Sequence, residues 1–245
     1  MLKPRYRSAL QITFVTLLLS VVPGSRADEP TSVPLDSIEQ RAQPCMACHG
    51  KEGRATPEGY YPRIAGKPPG YLFNQLVNFR VGRRHFPMMT YMVDRQNDAF
   101  LRELADYFGN LHLPYANRDN SSVAPALLER GRLLVTKGDP TLHVPACQSC
   151  HGKSLLGTLP AVPGLLGLSP DYVLGQLGAW QNGTRHAQPP DCMANIARQL
   201  RSADLAAVAW WLAGQQVPTD AVPAADFETP PSVSCGSFPD ASGAR

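Results

Sequence analysis

The chain has 245 residues, of which 23 are Lys or Arg and 20 are Asp or Glu, giving a formal net charge of +3. This length is sufficient for two small domains. Four of the basic residues, and none of the acidic ones, lie before residue 28, so the rest of the chain has 19 basic and 20 acidic side chains. The basic isoelectric point therefore comes from the N-terminus and does not indicate nucleic-acid binding.

The first 27 residues have the organisation of a secretory signal peptide. Lys3, Arg5 and Arg7 precede an apolar run over residues 9–22, and small residues occupy the −3 and −1 positions of a cleavage site after Ala27. We expect cleavage there and export to the periplasm. Retention as a membrane anchor is the alternative, although the run is short for a bilayer span.

The pentapeptide Cys-x-x-Cys-His occurs twice. It is the attachment signature of c-type haem, because two thiols one helical turn apart can bond both vinyl groups of one porphyrin. The adjacent imidazole can then bind the iron. We therefore predict two covalently bound haem c groups. Their predicted attachment residues are Cys45, Cys48, Cys147 and Cys150, and their predicted proximal iron ligands are His49 and His151.

Two other uses of paired cysteines fit the sequence less well. A zinc site shared by both pairs is disfavoured, because 99 positions separate Cys48 from Cys147, far more than in a zinc ribbon. A redox-active Cys-x-x-Cys normally opens a helix in a βαβ unit. The segments around these motifs instead contain Gly, Pro and helical periodicity.

An internal repeat surrounds the motifs. The two copies align with a shift of 102 residues at the motif and 101 from Pro62 onward, and after a three-residue insertion in the second copy the shift becomes 104. A whole domain is therefore duplicated. The matched pairs include Pro62 and Pro163, Tyr71 and Tyr172, Gln75 and Gln176, Arg84 and Arg185, His85 and His186, and Met89 and Met193.

The apolar spacing predicts an all-α protein made of two tandem domains, each a small helical bundle around one covalent haem. No stretch alternates as a strand would. Predicted helices cover residues 71–79, 101–111 (after a cap at Asn97-Asp98), 126–137, 172–180 and 205–212 (after Ser202), with a weaker one at 35–42. The predicted domain boundaries are a signal peptide at 1–27, a first domain at 28–112, a linker at 113–125, a second domain at 126–215 and a Pro-rich tail with little regular structure at 216–245.

The repeat selects the sixth ligand of each iron. Met88 aligns with Cys192 and Met92 with Ile196, whereas Met89 aligns with Met193. We therefore predict that Met89 and Met193 are the distal axial ligands, which favours relay of electrons. Methionines that simply fill the core are one alternative. The other is ligation by the repeated His85 and His186.

Further repeated residues have two interpretations each. Arg84 and Arg185 could pair with haem propionates or be solvated. The backbone carbonyls of Pro62 and Pro163 could accept the proximal His N–H and fix its tautomer, or the prolines could simply form turns.

Two cysteines remain after haem attachment. In an oxidising compartment we expect Cys192 and Cys235, 43 positions apart, to form a disulfide. It would hold the tail beside Met193, shielding a haem edge or stiffening the ligand loop. Alternatively, the Cys192 thiolate could itself bind the second iron and displace Met193, giving a low-potential or catalytic centre.

Over residues 36–215 the sequence resembles the cytochrome c4 family, dihaem bacterial cytochromes c. The resemblance rests on both haem motifs, on Met89-Thr-Tyr-Met-Val and Met193-Ala-Asn-Ile-Ala, on Pro62-Arg-Ile-Ala-Gly, and on Tyr71-x-x-x-Gln-Leu with its repeat. It implies two class I cytochrome c domains packed face to face with His/Met ligation. It also implies a periplasmic electron shuttle, often peripheral on the inner membrane, between a quinol-oxidising complex and a terminal oxidase.

Three departures from the family pattern bear on the redox partner. The tail with Cys235 and the cysteine beside the second Met are additions, and the first helix is short. We therefore keep two alternatives to an electron carrier without substrate chemistry. One is a dihaem enzyme of the thiosulfate dehydrogenase kind, and the other is a cytochrome subunit of a periplasmic dehydrogenase.

Overall fold

A computed structural model describes residues 36–116, 119–218 and 221–238. The predicted signal peptide lies outside these residues. None of the helices within them has the length and apolarity needed to cross a membrane. The helices are α1 (Ile38–Arg41), α2 (Gln43–His49), α3 (Pro69–Arg80), α4 (Pro87–Val93), α5 (Asp98–Gly109), α6 (Pro125–Lys137), α7 (Gln148–His151), α8 (Pro170–Gln181), α9 (Cys192–Gln199) and α10 (Ser202–Ala213), and the strands are β1 (Gly157–Thr158) and β2 (Val162–Pro163).

The first domain contains α1 to α5, with α3 packed against α5 and α4. Helix α5 begins where predicted, because the Asn97 side chain accepts a hydrogen bond from the Phe100 N–H at 2.9 Å. Leu101 and Phe108 on α5 are fully buried. Burial of this helical stripe against α3 stabilises the domain through the hydrophobic effect.

In the second domain α8 packs against α10, as α3 packs against α5 in the first. Helix α10 also packs against α6. A separate core is formed by Leu134, Val135, Leu205, Leu212 and their neighbours. The predicted all-α class is confirmed. The structure adds the antiparallel hairpin of β1 and β2, whose two-residue strands are too short to produce a visible alternation.

Each Cys-x-x-Cys-His motif is followed by a glycine that the left-handed backbone conformation requires. Gly50 and Gly152 follow the two motifs with φ of +76° and +80°. A left-handed conformation of this kind favours Gly, and a Cβ at Gly50 would collide with the Ala55 carbonyl. The chain therefore reverses sharply after each His, which starts the loop that returns to the imidazole.

Several local predictions differ from the structure in detail. Met89 and Met193 lie in two short helices, α4 and α9, that were not among the predicted ones. The N-cap of α10 is Arg201 rather than Ser202. Tyr115, in the segment predicted as a linker, packs against the core of the second domain.

The two domains meet along the loops that follow α3 and α8. Arg84 and Arg185 pair as an antiparallel β-bridge. The His85 N–H donates to the Thr184 carbonyl at 3.2 Å, and the His186 N–H donates to the Arg83 carbonyl at 2.6 Å. These reciprocal bonds relate the two copies by an approximate twofold axis.

An ion-pair cluster around the buried Asp204 carboxylate links α6 to the start of α10. The Asp204 carboxylate, 1% exposed, accepts from Arg130 Nε at 2.8 Å and from Arg201 Nε at 2.7 Å. The hydrogen bond from Arg201 is the main cause of the lowered pKa of Asp204. A lowered folded-state pKa means that the cluster stabilises the fold above the unfolded pKa, and that this stability is lost as the pH falls.

We expect Asp204→Asn to lower the free energy of unfolding by about 2 kcal/mol at pH 7, because the buried carboxylate that accepts charged hydrogen bonds from Arg130 and Arg201 is lost, while Arg130 keeps its pair with Asp139. The loss of stability on acidification below about pH 4 should be smaller in the variant than in the wild type. Chemical denaturation of the holoprotein at pH 3.5 and pH 7 measures both effects. Glu129→Gln, which breaks the exposed pair with Arg132, is the matched control and should change stability by less than about 1 kcal/mol.

Candidate haem sites

Each motif histidine is oriented by a backbone carbonyl. His49 Nδ1–H donates to the Pro62 carbonyl at 2.8 Å, and His151 Nδ1–H donates to the Pro163 carbonyl at 2.7 Å. These bonds favour the second-shell interpretation of the two prolines over a simple turn. With Nδ1 protonated, Nε2 of each ring has a free lone pair that can bind iron.

The electrostatics of both rings favour the neutral imidazole that a metal requires. Burial lowers the pKa of His49, and the Pro62 carbonyl acts in the opposite direction. Burial likewise lowers the pKa of His151, opposed by the Pro163 carbonyl. Both rings are therefore neutral at neutral pH, with Nδ1 protonated and Nε2 free to bind a metal.

The four motif thiols are not engaged with one another. Cys45, Cys48, Cys147 and Cys150 are all free, so neither motif forms the redox disulfide considered as an alternative. In the described part of the chain, no three His, Cys, Asp or Glu side chains converge on a metal position. That result also counts against a shared zinc site.

One continuous cavity of about 790 Å³ joins the two candidate sites. The side chains of Met89 and Met193 line it, as do both motif histidines and all four thiols. The rival ligand candidates Met88, Met92, His85 and His186 line it too, but Met88 is 55% exposed to solvent. The cavity thus brings together every residue predicted to attach or ligate haem, and its apolar walls suit a porphyrin.

Two cations meet where the domains join. Arg84 donates to Tyr172 Oη at 2.8 Å and to Gln176 Oε1 at 2.6 Å. Arg185, only 5% exposed, donates to the same Gln176 oxygen at 2.8 Å and to Gln75 Oε1 at 3.0 Å. Burial, and then the charge of Arg84, lower the pKa of Arg185. The interpretation of Arg185 as solvated is therefore wrong.

The acceptors of these guanidinium groups are neutral, and no carboxylate among the described residues pairs with either. Buried cations of this kind need an anion. A haem carries two carboxylates, so the donor set fits haem propionates. Each guanidinium also stacks on an aromatic ring at the same repeat position, Arg84 on Phe79 and Arg185 on Trp180.

An orphaned donor gives a second test of fit. Trp180 Nε1 is buried, lines the cavity and has no hydrogen-bond partner among the described residues. Buried indole N–H groups normally find an acceptor, and a propionate oxygen would supply one. The first copy has Phe79 at this position and so lacks the donor.

The C-terminal segment closes the second site. Cys192, the first residue of α9, forms a disulfide with Cys235, with Cα atoms 5.1 Å apart. The Gly236 N–H donates to the Pro190 carbonyl at 2.9 Å, within the region of the inserted residues. Further back, the Ala224 N–H donates to the Gly157 carbonyl. Residues 221–238 have no helix, as expected for the tail, yet they lie fixed against the second domain.

Sequence reasoning missed three of these features. It treated Gln75 and Gln176 only as repeat markers, although both bridge the two arginines. It did not single out the indole N–H of Trp180. Lys67, which is buried and reaches into the second domain, was also overlooked. The sequence did contain a signal for this residue. Lys67 directly follows Gly66, which aligns with Gly167, and the second copy has Leu168 at the position of Lys67.

The fold and this pair of sites define a c-type cytochrome with two haems. A comparison with protein-family models found no match. The chain is 33% identical over 213 residues to a thiosulfate dehydrogenase electron acceptor from Thiomonas intermedia, covering 85% of this chain and 91% of that protein. It is 31% identical over 178 residues to cytochrome c4 from Pseudomonas aeruginosa, covering 72% and 86%.

Solved structures agree with these relatives. Reduced cytochrome c4 from Pseudomonas stutzeri matches with a TM-score of 0.62 at 29% identity, covering 72% of this chain and 96% of that one. Thiosulfate dehydrogenase (TsdBA) from Marichromatium purpuratum matches with a TM-score of 0.63 at 32% identity, covering 70% of this chain but 36% of that longer one. The chain belongs to the cytochrome c4 family, and its cofactors are two covalent haem c groups.

Removing the thiols of one motif should remove one covalent haem. We expect Cys147→Ala/Cys150→Ala to retain a single haem on the denatured polypeptide, and Cys45→Ala/Cys48→Ala to do the same at the other site. Mass spectrometry of the denatured, reduced protein measures the number of haems added to the chain. Two covalent haems in either double variant would contradict this assignment.

Proposed function

We propose that this protein is a periplasmic carrier that relays single electrons through two haems with His/Met ligation. In this proposal His49 and Met89 bind the first iron, and His151 and Met193 bind the second. The observation that carries the proposal is the shared cavity, which both His/Met pairs line while each His is oriented by a proline carbonyl. The bound haem supplies the one-electron Fe(III)/Fe(II) chemistry.

The axial ligands and their hydrogen-bond partners would set the reduction potential of each haem. A thioether ligand favours the ferrous state and raises the reduction potential. The hydrogen bonds from His49 and His151 to carbonyls increase the basicity of the imidazoles, which lowers the reduction potential. The largely apolar lining of the cavity would give both haems a low-dielectric surrounding, which also affects the potential.

The interface supports transfer between the two haems. Arg84 and Arg185 lie side by side at the centre of the domain contact and share Gln75 and Gln176 as acceptors. Propionates held by these two arginines would come from different haems. An electron that enters at one domain would then have a short route to the other.

The relatives indicate what kind of protein supplies the electrons. One is named a thiosulfate dehydrogenase electron acceptor, and a thiosulfate dehydrogenase chain contains a similar module within a longer polypeptide. We propose a thiosulfate dehydrogenase as donor and a terminal oxidase as acceptor. A quinol-oxidising complex is the alternative donor, since cytochrome c4 relatives share the fold.

An enzymatic role at the second haem is less well supported. That alternative needs an open or a Cys-ligated iron, and the sulfur of Cys192 is bonded to Cys235 instead of being free as a ligand. The same disulfide supports a periplasmic location, because disulfides persist in oxidising compartments.

Substituting the proposed distal ligands should change the optical spectrum. We expect Met89→Leu and Met193→Leu each to remove about half of the red sulfur-to-ferric charge-transfer band, since each abolishes one iron–sulfur bond. Met88→Leu, which alters the exposed neighbour in α4, is the matched control and should leave the band intact. A full band in both ligand variants would overturn the ligand assignment.

The donor is tested by electron exchange. Ferric holoprotein is mixed with a purified thiosulfate dehydrogenase and thiosulfate, and we expect both haems to be reduced, with omission of the dehydrogenase as control. A parallel arm replaces the dehydrogenase with a quinol-oxidising complex and quinol. Reduction only in the parallel arm would favour the alternative donor. Reduction by thiosulfate alone would indicate an enzyme.

A further inference from the structure

A buried lysine crosses the boundary between the two domains. Lys67 belongs to the loop between α2 and α3 of the first domain and is 3% exposed. Its ammonium group donates to the carbonyl of Gly164 at 2.7 Å and lies 3.4 Å from the carbonyl of Leu166. Both acceptors are in the second domain. Gly164 directly follows Pro163, and Leu166 is two residues further along the chain. No carboxylate of the described residues pairs with this cation, so the carbonyls are its stabilising partners.

The first domain has an equivalent interaction within itself. Arg63 directly follows Pro62, the residue whose carbonyl orients His49. Its Nε donates to the Ala65 carbonyl at 3.0 Å, and its terminal nitrogens donate to the carbonyls of Pro114 and Leu113. A cationic side chain therefore fixes the loop that holds the first proximal histidine.

The repeat makes the two interactions equivalent. With the shift of 101 residues, Ala65 corresponds to Leu166. The same carbonyl thus receives a cationic donor in both copies, from Arg63 in the first and from Lys67 in the second. The donor in the second copy, however, comes from the other domain.

The second copy cannot carry this cation itself. Gly164 stands where the first copy has Arg63, and a Cβ there would come within 2.7 Å of the Leu156 carbonyl carbon. Real Cβ atoms do not approach backbone so closely, so a side chain is excluded at this position. At the position of Lys67 the second copy has Leu168. Its loop therefore lacks any cation of its own at these two positions.

We propose that Lys67 of the first domain is a positioning residue for the second haem, supplying in trans the cation that the second copy lacks at the position of Arg63. By holding the Gly164 and Leu166 carbonyls, it fixes the loop whose Pro163 carbonyl orients His151. This inference rests on the proposed ligation of the second iron by His151. The loop that holds the second proximal histidine then depends on a cation from the first domain, whereas the corresponding loop of the first copy takes its cation from its own Arg63.

Two further observations agree with a specific role. A buried ammonium is unfavourable unless its hydrogen bonds are satisfied, and burial lowers the pKa of Lys67 to about 7. An apolar residue at this position would avoid that penalty. The charge of Lys67 also acts on His151 and contributes to lowering its pKa.

The test compares Lys67→Met and Arg63→Met in the full-length holoprotein at pH 6. Redox titration with haem-resolved nuclear magnetic resonance measures the two reduction potentials and the shifted ring signals of each proximal His. We expect Lys67→Met to lower the potential of the second haem and to move the His151 signals, because a nearby positive charge and a loop anchor are lost. The equilibrium constant for sharing an electron between the haems should change by at least about threefold.

The matched variant should show the reverse pattern, with Arg63→Met affecting the first haem and the His49 signals. Lys67→Arg should restore most of the second-site signals, and Lys67→Gln serves if the methionine variant does not fold. Equal changes at both haems in Lys67→Met, or unchanged second-site signals, would overturn the inference. A wild-type spectrum without His/Met ligation at the second iron would instead refute the proposed function.

Discussion

The hydrogen bond between an imidazole N–H and a proline carbonyl is the interaction on which each site depends. In the two copies it joins residues 13 and 12 positions apart, His49 to Pro62 and His151 to Pro163. The bond fixes the tautomer, so that the remaining ring nitrogen points its lone pair into the cavity. The left-handed glycine after each histidine makes the bond possible, because it lets the chain turn back towards the ring.

Packing two copies of one domain face to face brings like residues together. At the centre of this contact are Arg84 and Arg185, two cations in a largely buried interface with neutral acceptors. Such an arrangement is unfavourable for a protein alone and becomes favourable when anions are present. The haem carboxylates are suitable anions, and propionates bound to these arginines would help to hold the domains together.

The two copies are nevertheless unequal, and the differences concentrate at the second site. That site has a three-residue insertion, the Cys192–Cys235 disulfide, a tail lying across the domain and an indole donor at Trp180. It also depends on Lys67 from the first domain. The first domain instead leaves Met88 and Tyr91 of α4 exposed beside its cavity. The duplication has therefore produced two haem environments with different supporting residues.

The sequence by itself determined the features that depend on residues close together in the chain. Motif spacing indicated the haems, periodicity placed α3, α5, α6, α8 and α10 within a few residues, and the repeat singled out Met89 and Met193. Only the tertiary structure decided the contacts between domains, such as Arg84 with Gln176 and Lys67 with Gly164, which join residues 92 and 97 positions apart. No local pattern encodes such pairs, because they exist only once two separately folded cores are packed against each other.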